Sequence, residues 1–288
     1  MSNPYLPQRL VVTAYPKMPE AFAEAESVTA FLKERGLEAP CGSLNDEDLR
    51  KRVKNGDFDM LVAVGGDGTM LRAGHLCAPC DVPILGVNLG RLGFLIQVQR
   101  DEWRDMLVRL FEGEAWIESR MMLRAEHFRA GEALGTWYAL NEVVVGRGQF
   151  LSPVRLSVSA DGHFLTTFIA DGLIAATPTG STAYALAAGG PILPPELRNI
   201  LIVPIAPHLS VDRAVVLAEG SAVSIAVKSD NTILSVDGAI PNGLAEDDRV
   251  EVRAAEYAAK FVRFGDPGYF YRNLTAHMNQ NPAIGMSR

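Results

Sequence analysis

Residues 58–69 read FDMLVAVGGDGT. A short, mostly apolar run ends directly in a glycine turn, and a helix-compatible stretch follows. That order is the signature of a buried strand feeding a helix across a tight turn. Working outward, LVVTA at 10–14 is a second apolar run. Met18, Phe22, Ala25, Val28 and Leu32 then recur at helical spacing, with Pro19 near the start and Gly36 just past the end. NDEDLRKRVK at 45–54 begins acidic and finishes basic, which suits the helix dipole, and Gly56 closes it. PILGVN at 83–88 and FLIQV at 94–98 read as further strands, and 101–111 places Trp103, Met106, Leu107, Leu110 and Phe111 on one helical face. Strands alternating with helices predict a parallel sheet covered by helices.

The pattern changes after Gly113. From 116 to 264 the chain is β-like, with hairpin signals at Asp161-Gly162, between LSVS and HFLTTF, and at Ser229-Asp230-Asn231, between VSIAV and TILSV. Asp247-Asp248 precedes RVEVRAA, and 269–278 looks helical again. The fold expected is α/β plus β. A Rossmann-like α/β domain occupies 1–113 and a β-sandwich 114–264, while 265–288 returns to pack on the first domain. A cleft between the two domains is the expected ligand site.

The chain has 288 residues, 48% of them hydrophobic, with 27 basic against 34 acidic side chains and a net charge of −7. So much apolar material excludes disorder as a description of the whole. The acidic balance argues against a nucleic-acid or membrane-surface binder, so anionic ligands must be met by local devices such as helix N-termini, a few arginines or a metal. The stretch 172–195 lacks charge, but its prolines and glycines exclude a spanning helix. Three cysteines are too few for a disulfide scaffold, and MSNPYLPQRL lacks the apolar core of a secretory signal. A cytoplasmic protein is expected.

The chemistry should sit at Gly65-Gly66-Asp67-Gly68-Thr69. Glycines let backbone N–H groups approach a phosphate with no Cβ in the way, and Thr69 is a suitable N-cap for the helix that follows. Asp67 either projects a carboxylate into a phosphate-binding turn, where it binds a cation or takes a proton from a hydroxyl, or is hydrogen-bonded locally in an ordinary glycine turn. A second turn, Pro178-Thr179-Gly180-Ser181-Thr182, follows the apolar run 172–176 and offers hydroxyls and N–H groups suited to ribose and phosphate oxygens. Asn141-Glu142 heads the run NEVVVGRG and is either a ribose or base clamp or the turn before a strand. Two glycine turns fit a reaction between two phosphorylated molecules better than storage of one.

Taken together, GGDGT at 65–69, NLGRLGFL at 88–95, NEVVV at 141–145 and DGLIAATPTGSTAYALAAGGPI at 171–192 resemble the NAD kinase family in order and spacing over about 60–215. GGDGT alone is shared with diacylglycerol and sphingosine kinases and phosphofructokinases; TPTGSTAY is far more specific. The resemblance implies phosphoryl transfer from ATP, or another donor, to the 2′-hydroxyl of the adenosine ribose of NAD, giving NADP. It implies Asp67 as general base, and Gly65, Gly66, Gly68 and Thr69 at the donor phosphates. Gly68 and Arg72 would touch NAD, Asn141 and Glu142 would grip the adenosine, Asp171 would lie near the nicotinamide half, and Thr182, Ala183 and Tyr184 would line the pocket. Mg²⁺ or another divalent cation would accompany ATP, with no metal-ligating cage in the protein, and a homodimer or homotetramer through the β-domain is implied. The chain departs from the family where Asp237-Gly238-Ala239 replaces Asp-Gly-Gln and where Ala214 follows Arg213. Alternatives are a lipid or sugar kinase sharing only the GGDGT turn, and a catalytically silent NAD-binding sensor.

Other features carry less. Cys77 and Cys80, with His75 nearby, have the spacing of a redox or half-zinc motif but fall where a helix should end. His127, His163, His208 and His277 form no metal pair. Arg91 and Arg147 sit in turns near the phosphate motifs, where they either steer anions or are ordinary solvated turn arginines. Asn273-Leu274-Thr275 fits a glycosylation pattern that a cytoplasmic protein would not use.

Overall fold

A computed structural model describes residues 5–90, 93–148, 152–208, 212–272 and 274. The chain divides into two compact units, one formed by Met1–Ser119 with Ala259–Arg288, the other by Arg120–Ala258. The expected contribution of 265–288 to the first unit lies mostly outside the described residues; 269–272 are helical.

The elements in order are β1 (Leu10–Ala14), α1 (Pro19–Glu34), β2 (Cys41–Ser43), α2 (Glu47–Lys54), β3 (Met60–Gly65), α3 (Asp67–Cys77), β4 (Ile84–Asn88), β5 (Val98–Gln99) and α4 (Trp103–Phe111). Then come β6 (Ala115–Arg129), β7 (Glu132–Ala139), β8 (Glu142–Arg147), β9 (Val154–Ala160), β10 (His163–Ala170), β11 (Gly172–Ala176) and α5 (Tyr184–Ala187). The last are β12 (Asn199–Ile205), β13 (Val215–Ala218), β14 (Val223–Val227), β15 (Thr232–Val236), β16 (Asn242–Leu244) and β17 (Arg249–Phe264).

In the first unit β2, β1, β3 and β4 form a parallel sheet in that order, and β4 gives its other edge to β5 and to Phe261 near the end of β17. Alternate residues Leu10, Val12, Met60, Val62 and Val64 pack with Ala21, Ala25, Val28 and Leu32 of α1 and with Trp103, Leu107 and Leu110 of α4. The opposite face receives α3, whose Met70 sits where a Cβ on Gly86 would lie. Each large apolar side chain so buried is worth roughly 1.5–3 kcal/mol. Helices on both faces explain why β1, β3 and β4 are buried at every residue. Buried Glu24 of α1 accepts from Trp103 Nε1 at 2.7 Å and Arg100 Nε at 2.6 Å, which ties α1 to α4.

One predicted strand is absent: of 94–98 only Val98 joins β5. The N–H groups of Phe94 and Leu95 are taken by a side chain, that of Asp67, so they are not available to a ladder.

The second unit is an antiparallel sandwich. One sheet runs β10-β9-β14-β17, with the β6–β7 hairpin pairing β17 through β6; the other runs β13-β12-β11-β8-β15-β16. Val154, Leu156 and Val158 of β9 and Val223, Ile225 and Val227 of β14 meet Val143 and Val145 of β8 and Leu173 and Ala175 of β11 in one core. Asp161 and Gly162, both at positive φ, make the β9–β10 hairpin as expected. The 229–231 turn does not make a hairpin. β14 and β15 lie in different sheets, so this turn carries the chain across the sandwich. Both strands point alternate residues at the shared core, which period-two patterning cannot distinguish from pairing. Among the described residues, no helix is long and apolar enough to cross a membrane.

Candidate active site

The first unit positions Asp67. β3 ends at Gly65, Gly66 is extended as N-cap, and α3 starts with Asp67 itself. Thr69 is therefore not the N-cap. It is the third helical residue, its N–H donates to the Gly66 carbonyl at 2.8 Å, and its buried side chain fills the space that a Cβ on Gly65 would need. Nor does the Asp67 carboxylate cap its own helix. Oδ2 accepts from Phe94 N at 2.8 Å and Oδ1 from Leu95 N at 3.2 Å, and the group packs against the bare Cα of Gly93. Each oxygen so held keeps a lone pair for a ligand.

One turn along α3, exposed Arg72 lays its guanidinium over the Tyr15 ring, 4.8 Å from the centroid. Hydrogen bonding to Arg72 draws the Tyr15 phenol below its usual pKa. Tyr15, Met18, Gly66, Gly68, Thr69 and Arg72 line a cavity of about 290 Å³ beside the start of α3. Its lining is mostly apolar, and what suits phosphate oxygens there is the positive end of the helix together with the Arg72 guanidinium. Arg91 lies outside the described residues.

The second unit positions the other candidates by strand pairing. β11 and β8 run antiparallel with Ala176 opposite Glu142, so the end of one strand meets the head of the other. Thr177 N donates to the Asn141 carbonyl at 2.9 Å, and Thr177 Oγ1 donates to the Leu140 carbonyl at 2.5 Å while accepting from Gly180 N at 3.0 Å. The turn then lies against Asn141 so closely that a Cβ on Gly180 would overlap the Asn141 backbone. Buried Arg120 donates to Thr179 Oγ1 at 3.2 Å, and Ser181 Oγ bridges the Pro178 carbonyl and Leu193 N. Thr182 and Ala183 lead into α5, and Tyr184 is 44% exposed.

From the other flank of β8, Asp237 follows β15 at positive φ and accepts three backbone hydrogen bonds, from Leu140 N at 2.7 Å, Asn141 N at 2.9 Å and Glu142 N at 2.8 Å. Glu142 is buried, and its Oε2 has no hydrogen-bond partner among the described residues. Burial first and the Asp237 charge second raise its pKa from 4.5 to about 7, against a lowering contribution from the Tyr184 backbone. A buried carboxyl with an unmet oxygen beside Asn141 and Tyr184 is equipped to bind hydroxyls or an amine of a ligand.

Within the second unit, then, Asn141, Glu142, Thr182, Ala183 and Tyr184 are brought together. Asp171 is not with them. It precedes β11 at the opposite end, roughly 17 Å along five residues of strand, and pairs with Arg147 at 3.1 Å. Asp237, Gly93 and the Phe94–Leu95 backbone were not among the expected site residues. NLGRLGFL and Asp237-Gly238 were both visible as motifs, but nothing local to either shows which backbone it holds.

α3 ends at Cys77, whose thiol burial pushes well above its usual pKa, and all three cysteines are free. His127 is buried on Asp248 at 2.8 Å, and among the described residues no three His, Cys, Asp or Glu side chains gather as a metal cage. His277, Asn273 and Thr275 lie outside the described residues.

Residues 10–115 match the family model of the ATP-NAD kinase N-terminal domain, and 140–264 that of the ATP-NAD kinase C-terminal domain. The chain is 37% identical over 275 residues to the NAD kinase of Chloroflexus aurantiacus, covering 95% of this chain and 99% of that one. It is 40% identical over 235 residues to the NAD kinase of Heliobacterium modesticaldum, covering 81% and 82%. Among solved structures it resembles yeast NADH kinase complexed with NADH, at TM-score 0.84 and 25% identity over 98% of this chain and 91% of that one. It also resembles an NAD kinase from Archaeoglobus fulgidus in complex with ATP, at TM-score 0.75 and 25% identity over 93% and 97%.

Proposed function

The chain belongs to the NAD kinase family, and on that premise we propose that Asp67 is the general base for phosphoryl transfer from ATP to the 2′-hydroxyl of the adenosine ribose of NAD. The observation that carries the assignment is the orientation of Asp67. Two consecutive backbone N–H groups and the bare Cα of Gly93 fix a carboxylate at the start of α3, beside the cavity that Gly66, Gly68, Thr69 and Arg72 line.

A ribose hydroxyl is a poor nucleophile near neutral pH, so the proton must leave as the new bond forms. Asp67 takes it. The hydroxyl oxygen bonds to the γ-phosphorus, the bond from that phosphorus to the bridging oxygen breaks, and ADP leaves with the electron pair. Gly65, Gly66, Gly68 and Thr69 present backbone N–H groups and the α3 dipole to the donor phosphates. Gly68 and Arg72 meet NAD beside them. Asn141 and Glu142, with Thr182, Ala183 and Tyr184, hold the adenosine, and Asp171 takes a more distant part of the dinucleotide.

Mg²⁺ fits this donor set as an ion that travels with the triphosphate. It is usually held by one or two carboxylates together with substrate phosphates, and Asp67 is the only acidic residue in the first turn of α3. When bound, the ion supplies charge neutralisation at the transferring phosphoryl group.

Three free cysteines suit a reducing cytoplasm. Assembly as a homodimer or homotetramer through the β unit belongs to the same reading; Phe164 and Leu165, exposed on edge strand β10, are surface such an assembly would cover.

The test is a coupled assay with NAD, ATP and Mg²⁺ that detects NADP through an NADP-specific dehydrogenase, run on the protein and on Asp67→Asn. Turnover should fall by roughly 10²–10⁴ in the variant while NAD binding is retained. Wild-type turnover in Asp67→Asn would falsify the base assignment, and tight NAD binding without transfer from any donor would favour a silent sensor.

A further inference from the structure

We propose that Arg263 is a positioning residue for phosphoryl transfer, acting on Asp67 through the backbone of Leu95. The inference rests on Asp67 being the base.

Arg263 and Glu118 are among the most buried charged side chains of the first unit, at 1% and 7% exposure. They are joined Nε to Oε2 at 2.7 Å. A buried ion pair is poor value as a source of stability, because desolvating both charges offsets most of their attraction. What such a pair does supply is geometry. Arg263 extends Nη1 to the Leu95 carbonyl at 3.0 Å, and the N–H of that same residue holds Asp67 Oδ1 at 3.2 Å. A single peptide segment therefore links the guanidinium to the carboxylate.

The segment needs that support because it is not a strand. Three of its backbone groups are met by side chains, the N–H groups of Phe94 and Leu95 by Asp67 and the Leu95 carbonyl by Arg263, and its own Gln97 side chain forms a reciprocal pair with the backbone of Phe264. Gln97 Nε2 donates to the Phe264 carbonyl at 2.9 Å and Phe264 N donates to Gln97 Oε1 at 3.0 Å. Two neighbouring residues of β17, 263 and 264, thus fix the register of the loop against which Asp67 rests. The Arg263 fork also lies over the rings of Phe261 and Tyr269, whose centroids are each 5.2 Å from its central carbon.

A lysine could keep the charge opposite Glu118, but its single ammonium lacks the planar fork that serves Glu118 and Leu95 at once. Loosening the loop would then move the carboxylate by a fraction of an ångström to an ångström. Displacements of that size cost up to about a hundredfold in rate.

The experiment is a double-mutant cycle in the coupled NADP assay: wild type, Arg263→Lys, Asp67→Asn and the double variant, with melting temperatures and KM for NAD measured alongside. Arg263→Lys should lower kcat about ten- to hundredfold and leave KM for NAD within about twofold. In the Asp67→Asn background it should lower kcat no further, because the group it positions is gone. Lys260→Ala, which removes a surface contact with Asp81 from the same strand, should change neither constant. Glu118→Gln leaves Arg263 a neutral acceptor and serves as the second probe should Arg263→Lys not fold; it should give the same loss of kcat, again only when Asp67 is present. Unchanged kcat in whichever of these variants is folded, or losses that multiply in the Asp67→Asn background, would overturn the proposal. Full activity of Asp67→Asn alone would instead remove the base reading beneath it.

Discussion

The carboxylate of Asp67 lies directly against the Cα of Gly93, so that a Cβ built on Gly93 would overlap its Cγ and both its oxygens. The contact spans two separate motifs, GGDGT and NLGRLGFL, and gives the second a physical meaning: it is the seat of the first motif's acid. Gly93→Ala must push Asp67 away or shift the backbone N–H groups that hold it. Turnover in the NADP assay should fall about a hundredfold, with KM for NAD changed far less. A fully active Gly93→Ala enzyme would show that the seat is not needed.

Gly180 is constrained in the same way, since an added Cβ would overlap the Asn141 backbone. There the added methyl meets backbone atoms, with no flexible side-chain end to give way. Gly180→Ala should cost about 1–3 kcal/mol in urea unfolding, the usual range for overpacking, and weaken NAD binding by separating the 177–184 turn from Asn141 and Glu142. Titration of the two proteins with NAD would check it. Unaltered stability would mean that the turn relaxes without loss.

Asp237 gathers the N–H groups of Leu140, Asn141 and Glu142. In Asp237→Asn one side-chain oxygen becomes an N–H₂ group, which cannot accept, so the N–H of Leu140 loses its partner. The variant should lose about 1–3 kcal/mol and bind NAD more weakly, since the head of β8 is no longer pinned. Asp237→Glu, which restores two acceptors on a longer arm, should recover part of both. Equal stability of all three proteins by urea titration would refute the role.

Much of this was legible before the structure. The β3–α3 unit announces itself because an apolar run, a glycine cluster and a helical period follow one another within twenty residues, and each is a local signal. Asn141-Glu142 and the 177–184 turn were legible as motifs, and pairing of β8 with β11 explains why they belong together. The Ser229–Asp230–Asn231 turn misled because alternation looks the same whether two strands pair or face each other across a sandwich. FLIQV misled because its β propensity is overridden by Asp67, a partner 27 and 28 residues away. Arg263 could not have been found at all. Its partners Glu118 and Leu95 are 145 and 168 residues distant, and VRF in a strand carries no sign of either.

Glu142 makes the protein's stability depend on pH in a direction set by its burial. Its pKa rises from 4.5 to about 7 on folding, first because burial penalises the charge and then because Asp237 lies nearby. Between those values the folded protein holds a proton at this site that the unfolded chain has lost. Stability therefore falls as pH rises through the window, by up to about 3 kcal/mol, and the favourable contribution is complete only below about pH 4.5. Glu142→Gln cannot titrate and lacks this dependence. Urea unfolding of the ligand-free proteins at pH 5 and pH 8 should show the variant gaining on the wild type at the higher pH. Asp237→Asn should narrow the wild-type window only in part, because the larger cause, desolvation, remains. Parallel pH profiles for wild type and Glu142→Gln would mean that Glu142 keeps an ordinary acidity. In that case it would meet the adenosine at neutral pH as a charged acceptor, without the proton that lets a neutral carboxyl both donate and accept.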